Sequence, residues 1–198
     1  MVINAEGQTE IIFEMTEATQ QLVIHNIDQW PVPSLLRGFS APVKLEYDYS
    51  PEELAHLMAH DSDGFNRWDA SQALTMSVLE QLIEDSLHDR PMVLDGQLIE
   101  AFKALLEDES LDSAMVALML QLPSEALLHE EAETVHAAAI HDARSFMRTA
   151  LAGCLAEQLQ AIYQRYNVQQ TYQPTIDQIG GRSLKNAVLG YLMLVETG

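Results

Sequence analysis

Apolar and polar positions change their period at one place in this chain. In residues 43–49, Val43, Leu45, Tyr47 and Tyr49 fall on one face and Lys44, Glu46 and Asp48 on the other, the period-two pattern of a half-buried strand. Ser50-Pro51-Glu52-Glu53 then supplies the signals of a helix start: Ser50 as cap, Glu53 reaching back in a capping box, and Pro51 at the first helical position. Residues 9–15 and 20–27 are two further β-rich runs, joined by the hairpin-like Thr16-Glu17-Ala18-Thr19. Asn26-Ile27-Asp28-Gln29 and the Pro31-Val32-Pro33 pair mark the next turn and an edge-type strand start. The pattern predicts three or four strands before Ser50 and helices after it.

The helical part is read from apolar residues recurring every three or four positions. A short helix covers residues 52–60, and the acids of Asp61-Ser62-Asp63-Gly64 are placed to cap the next one. That next helix carries Phe65, Trp68, Leu74, Val78, Leu79, Leu82 and Ile83, ends near Leu87 and is stopped by Arg90-Pro91. Asp95 caps a helix holding Leu98, Ile99, Phe102, Leu105 and Leu106, and Asp112 or Ser113 opens another through Leu122. Pro123-Ser124 opens a short turn of helix. The longest element is predicted over residues 134–166, where a stripe from Ile140 to Tyr166 runs for roughly seven turns and includes Cys154. A last helix over residues 175–196 presents Ile179, Leu184, Val188, Tyr191, Leu192 and Val195. Helices alternating with short turns fit stacked antiparallel pairs, without a strict sequence repeat.

Charge sets limits on partners. Thirty acidic against ten basic residues give a net charge of −20, and the excess runs along the whole chain rather than forming a tail. Such a field opposes phosphate backbones and anionic membranes, which need clustered Lys and Arg, so the expectation is no nucleic acid and no membrane partner. Cys154 is the only cysteine, which excludes an intrachain disulfide and a thiol-rich metal site, and its place on the apolar stripe predicts an inert buried thiol. The start MVINAEGQTE lacks signal-peptide character and no apolar run approaches a membrane span, so a cytoplasmic location is expected.

Motif by motif, structural roles outweigh chemical ones. His56 and His60 have the i, i+4 spacing of a metal pair, but Leu57 stands where H-E-x-x-H needs its glutamate. His136 and His141 would diverge by about 140° on a helix, and His25, His88 and His129 sit near element ends. Asp61-Ser62-Asp63-Gly64 lacks the closing glutamate of a calcium loop, and Gly180-Gly181-Arg182-Ser183 lacks phosphate-loop spacing and reads as a close-packing or kink site. The acid pairs Glu52/Glu53, Glu107/Asp108/Glu109 and Glu130/Glu131 read as solvated faces, and Phe65 and Trp68 as core anchors. No residue is assigned a catalytic, substrate-binding or metal role.

Pro33-Ser34-Leu35-Leu36-Arg37-Gly38-Phe39-Ser40-Ala41-Pro42-Val43, followed by Phe65-Asn66-Arg67-Trp68-Asp69-Ala70, resembles the bacterial aminopeptidase N family of zinc metallo-aminopeptidases. The resemblance covers nearly the whole chain. It implies an α+β, mainly α fold: residues 1–49 as the C-terminal part of an immunoglobulin-like β-sandwich, and residues 50–198 as the N-terminal part of an α-helical superhelix. Fifty residues are about half of what such a sandwich needs. The resemblance further implies that zinc, the general-base glutamate and the amine site lie upstream of this chain. The implied role is that of a non-catalytic portion of a hydrolase that releases N-terminal residues from peptides, packed on its catalytic domain and enclosing access to the active site. The rival reading is a stand-alone helical-repeat interaction module with a small β cap, which an upstream reading frame containing H-E-x-x-H would exclude.

Overall fold

The structure is a computed structural model that describes residues 10–25, 27, 30–169 and 171–195. The chain divides into two compact units, Met1–Pro33 and Ser34–Gly198. Thr9, most of the turn at residues 26–29, and Glu196 lie outside the described residues.

Among the described residues there is no strand. Residues 10–15, 20–25 and 43–49 are irregular or extended, and no ladder pairs them. The alternation is present, yet Ile12, Met15, Val23, Val43, Leu45 and Tyr47 are all exposed. A strand exists only through a neighbour that takes its N–H and C=O groups, and isolated pairs are marginal. The expected three or four strands are therefore not formed here.

The second unit is helical. A 3-10 turn, Arg37–Phe39, precedes α1 (Pro51–His60), α2 (Gly64–Leu87), α3 (Gly96–Glu107), α4 (Ser113–Met119), α5 (Glu125–Glu131), α6 (Ala137–Cys154), α7 (Ala156–Tyr166) and α8 (Ile176–Leu192). The starts are fixed by local chemistry. Ser50 and Glu53 form the reciprocal capping box of α1, while Asp63, Asp95, Asp112, Ser124 and Thr175 each accept backbone N–H bonds at the next starts. The long α2 lies at the centre and touches α1, α3, α4 and α6, while α8 closes on α4, α6 and α7. Between them sits a core of Met58, Leu74, Leu79, Leu82, Phe102 and Met147, each at most 1% exposed.

Two readings of the stripe need correction. The helix expected over residues 134–166 begins at Ala137 and breaks at Leu155 (φ −109°, ψ 15°), whose N–H ends α6 on Leu151 and whose carbonyl opens α7 to Leu159. Leu155 is buried at the joint, so the turn carries Ala152 and Leu155 inward and leaves Gly153 and Cys154 facing solvent. Cys154 is thus an exposed thiol, not a buried one. On α8 the inward stripe is Gly180, Gly181, Leu184, Val188 and Tyr191, while Ile179 is half exposed. The glycines are there because helices approach closely: a Cβ on Gly180 would meet the Ala114 backbone nitrogen at 3.1 Å, and one on Gly181 the Tyr166 ring at 2.7 Å.

Candidate functional site

The densest polar arrangement in the helical unit joins residues 34–39 to the turn between α1 and α2. Leu36 (φ 54°) and Phe39 (φ 56°) adopt left-handed backbone, a conformation side chains disfavour, and Gly38 (φ 60°) adopts it without a Cβ penalty. This curl aims its polar groups at one carboxylate. Asp61, with a side chain only 1% exposed, accepts from Ser34 Oγ at 2.5 Å and from Arg37 Nη1 at 2.5 Å. Arg37 also donates to Ser62 Oγ, and Asn66 Nδ2 donates to Ser34 Oγ and to the Leu35 carbonyl.

Asp63 works on both sides of the same knot. One oxygen caps α2 through the N–H groups of Phe65 and Asn66, and the other accepts from the Gly38 N–H at 2.9 Å. Burial opposes its ionisation, but these N–H donors and the Arg37 charge outweigh it and hold the carboxyl below its usual range. Above the knot, the Phe39 and Phe65 rings lie 3.8 Å apart between centroids, and Phe65 continues to Trp68 at 5.5 Å. Phe65 and Trp68 are half-buried, so they anchor a surface seam rather than the core centre. Arg67, on the far side, is buried and donates to the Met58 carbonyl and to Asp108, fastening α2 to the ends of α1 and α3.

The hydrogen bonds of this knot hold backbone segments together, so its chemistry is architectural. The sequence singled out Ser34, Arg37, Asn66 and Arg67 without giving them roles. The partners that join separate segments, Asp61 for Arg37, Leu35 for Asn66 and Asp108 for Arg67, stand 24 to 41 residues away, and no local signal points across that distance.

The remaining candidates are scattered. His56 and His60 are both exposed, with ring centroids 5.1 Å apart. Among the described residues no group of three or more His, Cys, Asp or Glu side chains is placed to hold a metal ion, so the donor set does not fit zinc. His88 bonds Glu84 at the end of α2, and His141 pairs with Glu125. His136 precedes α6 without a side-chain capping bond. Glu107 accepts from Gln158, Glu109 pairs with Arg165, and Glu53 is the capping-box acid.

The seven arginines are all tied to this chain. Arg37, Arg67, Arg90 and Arg165 meet carboxylates. Arg144 and Arg148 donate to the carbonyls of Pro123 and Gly190, and Arg182 donates to Gln178 and lies over the Tyr172 ring. Two shallow recesses mark the surface. One, of about 130 Å³, has an apolar floor including Met76, Leu128 and Ile140 with Glu80 and Glu131 at its rim. The other, of about 320 Å³ between α3 and α7, is rimmed by Glu107, Glu109 and Glu157. Among the described residues no helix is long and apolar enough to cross a membrane.

Comparison with known proteins places this arrangement. Residues 51–198 match the family described as a domain of unknown function (DUF3458_C) with ARM repeats, and residues 2–48 match its companion (DUF3458) with an Ig-like fold. Aminopeptidase N of Escherichia coli K12 is 38% identical over 94% of this chain, and that of Haemophilus influenzae 31% over 94%. Aminopeptidase N of Caulobacter vibrioides is 32% identical over 90%. A solved structure of Legionella pneumophila aminopeptidase A in complex with aspartic acid superposes with a TM-score of 0.72 at 32% identity, covering 86% of this chain and 20% of that one. The chain spans only about a fifth of the length of the curated relatives it matches. With one family covering its entire helical part and this identity running nearly end to end, the chain belongs to the DUF3458_C ARM-repeat family and is homologous to a segment of bacterial aminopeptidase N.

Proposed function

We propose that this chain is a non-catalytic portion of an aminopeptidase N that supports the catalytic domain and encloses access to its active site. The full-length enzyme releases N-terminal residues from peptides in the cytoplasm. Residues 1–49 belong to an immunoglobulin-like β-sandwich whose remaining strands come from elsewhere in the protein, and residues 50–198 to the helical superhelix. The observation that carries this reading is similarity to aminopeptidase N along 94% of the chain, through both of its units.

Zinc, the implied metal, is held outside this chain, and no step of the reaction runs through its residues. Among the described residues the exposed pair His56 and His60 belongs to no group of three or more metal-ligating side chains, and Leu57 stands where H-E-x-x-H needs its glutamate.

The test uses the purified chain and a separately produced catalytic portion of the same protein. The chain alone releases no aniline from an aminoacyl-anilide, takes up no zinc at a single micromolar site in calorimetry, and binds the catalytic portion. Metal-dependent hydrolysis by the pure chain, abolished by His56→Ala, would overturn the proposal.

A further inference from the structure

Two arginines on α6 carry charges that nothing around them balances. Arg144 and Arg148 stand four residues apart on the helix, so their side chains rise from the same face. Each uses one nitrogen on a backbone carbonyl: Arg144 Nε donates to Pro123 at 2.8 Å and Arg148 Nη2 to Gly190 at 2.9 Å. The Arg148 guanidinium also lies 5.8 Å from the centre of the Tyr191 ring. Burial raises the Tyr191 hydroxyl to about 12 while the charges of Arg148 and Arg144 pull against it, so both guanidinium groups are felt at one point. Gly190 admits this approach, because a Cβ there would stand 3.2 Å from Arg148 Nη2.

These contacts leave donors over. Both Nη atoms of Arg144, and Nε and Nη1 of Arg148, meet no partner among the described residues, and none of the four is sealed from solvent. No carboxylate among the described residues pairs with either arginine, although four of the other five have one. Glu125 is taken by His141, and Asp142, two positions before Arg144, falls on another face of the helix. Arg182 also lacks a carboxylate, but its guanidinium lies over the Tyr172 ring. Lys44, Lys103 and Lys185 make no ion pair among the described residues either, yet each is a single flexible point charge rather than a planar fork. Two half-buried guanidinium groups side by side repel each other, and one carboxylate between them relieves both through the bidentate geometry that arginine offers.

Resting on the reading that this segment packs on the catalytic portion of a longer protein, we propose that Arg144 and Arg148 form a docking fork for one aspartate or glutamate side chain of that catalytic portion. The occupant is a single carboxylate on a folded surface and not a polyanion, because the −20 charge around the fork turns extended phosphates away. The chain spans about a fifth of the length of its curated relatives, so the greater part of such a protein remains to supply the carboxylate.

The experiment follows phenylglyoxal modification of each arginine by peptide mass spectrometry, in this chain alone and in the full-length protein that carries it. In the chain alone Arg144 and Arg148 are modified, and glutarate slows them more than chloride does at equal ionic strength. Arg90 and Arg165, which already hold carboxylates, respond alike to both salts. In the full-length protein Arg144 and Arg148 react about tenfold more slowly than in the chain alone, the factor that one charge-assisted hydrogen bond supports. Arg144→Glu in the full-length protein, which sets a like charge against the docked carboxylate, abolishes the slowing at Arg148, while Arg144→Lys keeps most of it. Equal rates in the two proteins, glutarate acting no better than chloride, or a slowing at Arg148 that survives Arg144→Glu overturns the inference alone. Slowing that appears in the isolated chain as its concentration rises assigns the fork to a second copy and overturns it as well. A full-length protein that releases no N-terminal alanine from a peptide overturns the reading beneath, and the inference with it.

Discussion

Gly181→Ala isolates how α8 docks on α7. The added methyl would sit 2.7 Å from Tyr166 Cδ1 and 3.0 Å from Cε1, inside van der Waals contact. The ring has little room to yield, because the Tyr166 hydroxyl lies 2.7 Å from Ser113 Oγ at the start of α4. Replacing a helical glycine by alanine favours the helix by about 1 kcal/mol. Overpacking costs about 1–3 kcal/mol, and releasing the Tyr166–Ser113 bond about 1 kcal/mol more. The balance is a net loss of about 1–3 kcal/mol, a fall in Tm of about 2–4 °C for each kcal/mol in a domain of this size. Gly153→Ala is the control: nothing lies within 4 Å of its Cβ, and its side of the helix faces solvent. That change stabilises by about 0.5–1 kcal/mol. Calorimetric or circular-dichroism melting of both variants, and of Gly181→Ala in a Tyr166→Ala background, checks the assignment. If Gly181→Ala melts at or above the parent, or loses as much stability once Tyr166 is gone, the close approach does not decide the packing.

Arg37→Ala leaves the buried Asp61 carboxylate with Ser34 Oγ and the Asp63 N–H as its remaining donors, and destabilises the helical unit by about 2–3 kcal/mol in urea unfolding, tempered by the partial exposure of Arg37. Because the Asp63 carboxyl is held below its usual 3.8, its stabilising contribution is present above that pH and lost as pH falls through its lowered value. The Tm gap between the parent and Asp63→Asn is therefore full at neutral pH and closes in acid. Burial pushes Tyr191, which donates to the Leu120 carbonyl at 2.7 Å, up to about 12, and burial with the neighbouring Tyr47 and carboxylates does the same to Tyr49. Their contribution is complete below pH 10 and lost as pH rises through about 12; ultraviolet titration shows Tyr49 and Tyr191 ionising late in the native chain, a delay that disappears on unfolding.

What the sequence disclosed was local. Helix starts depend on a cap and the three residues after it: Ser50 with Glu53 and Asp95 cap as read, and Ser124 and Thr175, read only as helix starts, prove to be caps. The break at Leu155 was invisible because Leu151, Leu155 and Leu159 keep a four-residue spacing through the joint, so periodicity continues where direction does not. Exposure of Cys154 follows from that change of direction. The alternation in residues 43–49 describes what a pairing partner would require, but a ladder depends on residues other than those that alternate. The architectural role of Arg37 and Asn66 was hidden for the same reason, since each finds its meaning in a segment more than twenty residues away.

The knot at Asp61 also decides where this protein can be cut. A piece begun at Ser50, where the period changes, would keep α1 and α2 intact yet strip Asp61 of its Ser34 and Arg37 partners and Asp63 of the Gly38 amide, leaving the Asp61 carboxylate without its counter-charge and with the Asp63 N–H as its retained donor. A piece begun at Ser34 would carry its own counter-charge. For grafting the helical unit onto another protein, or exchanging it between relatives, residues 34–39 travel with the helices as a handle that only the cognate turn fits.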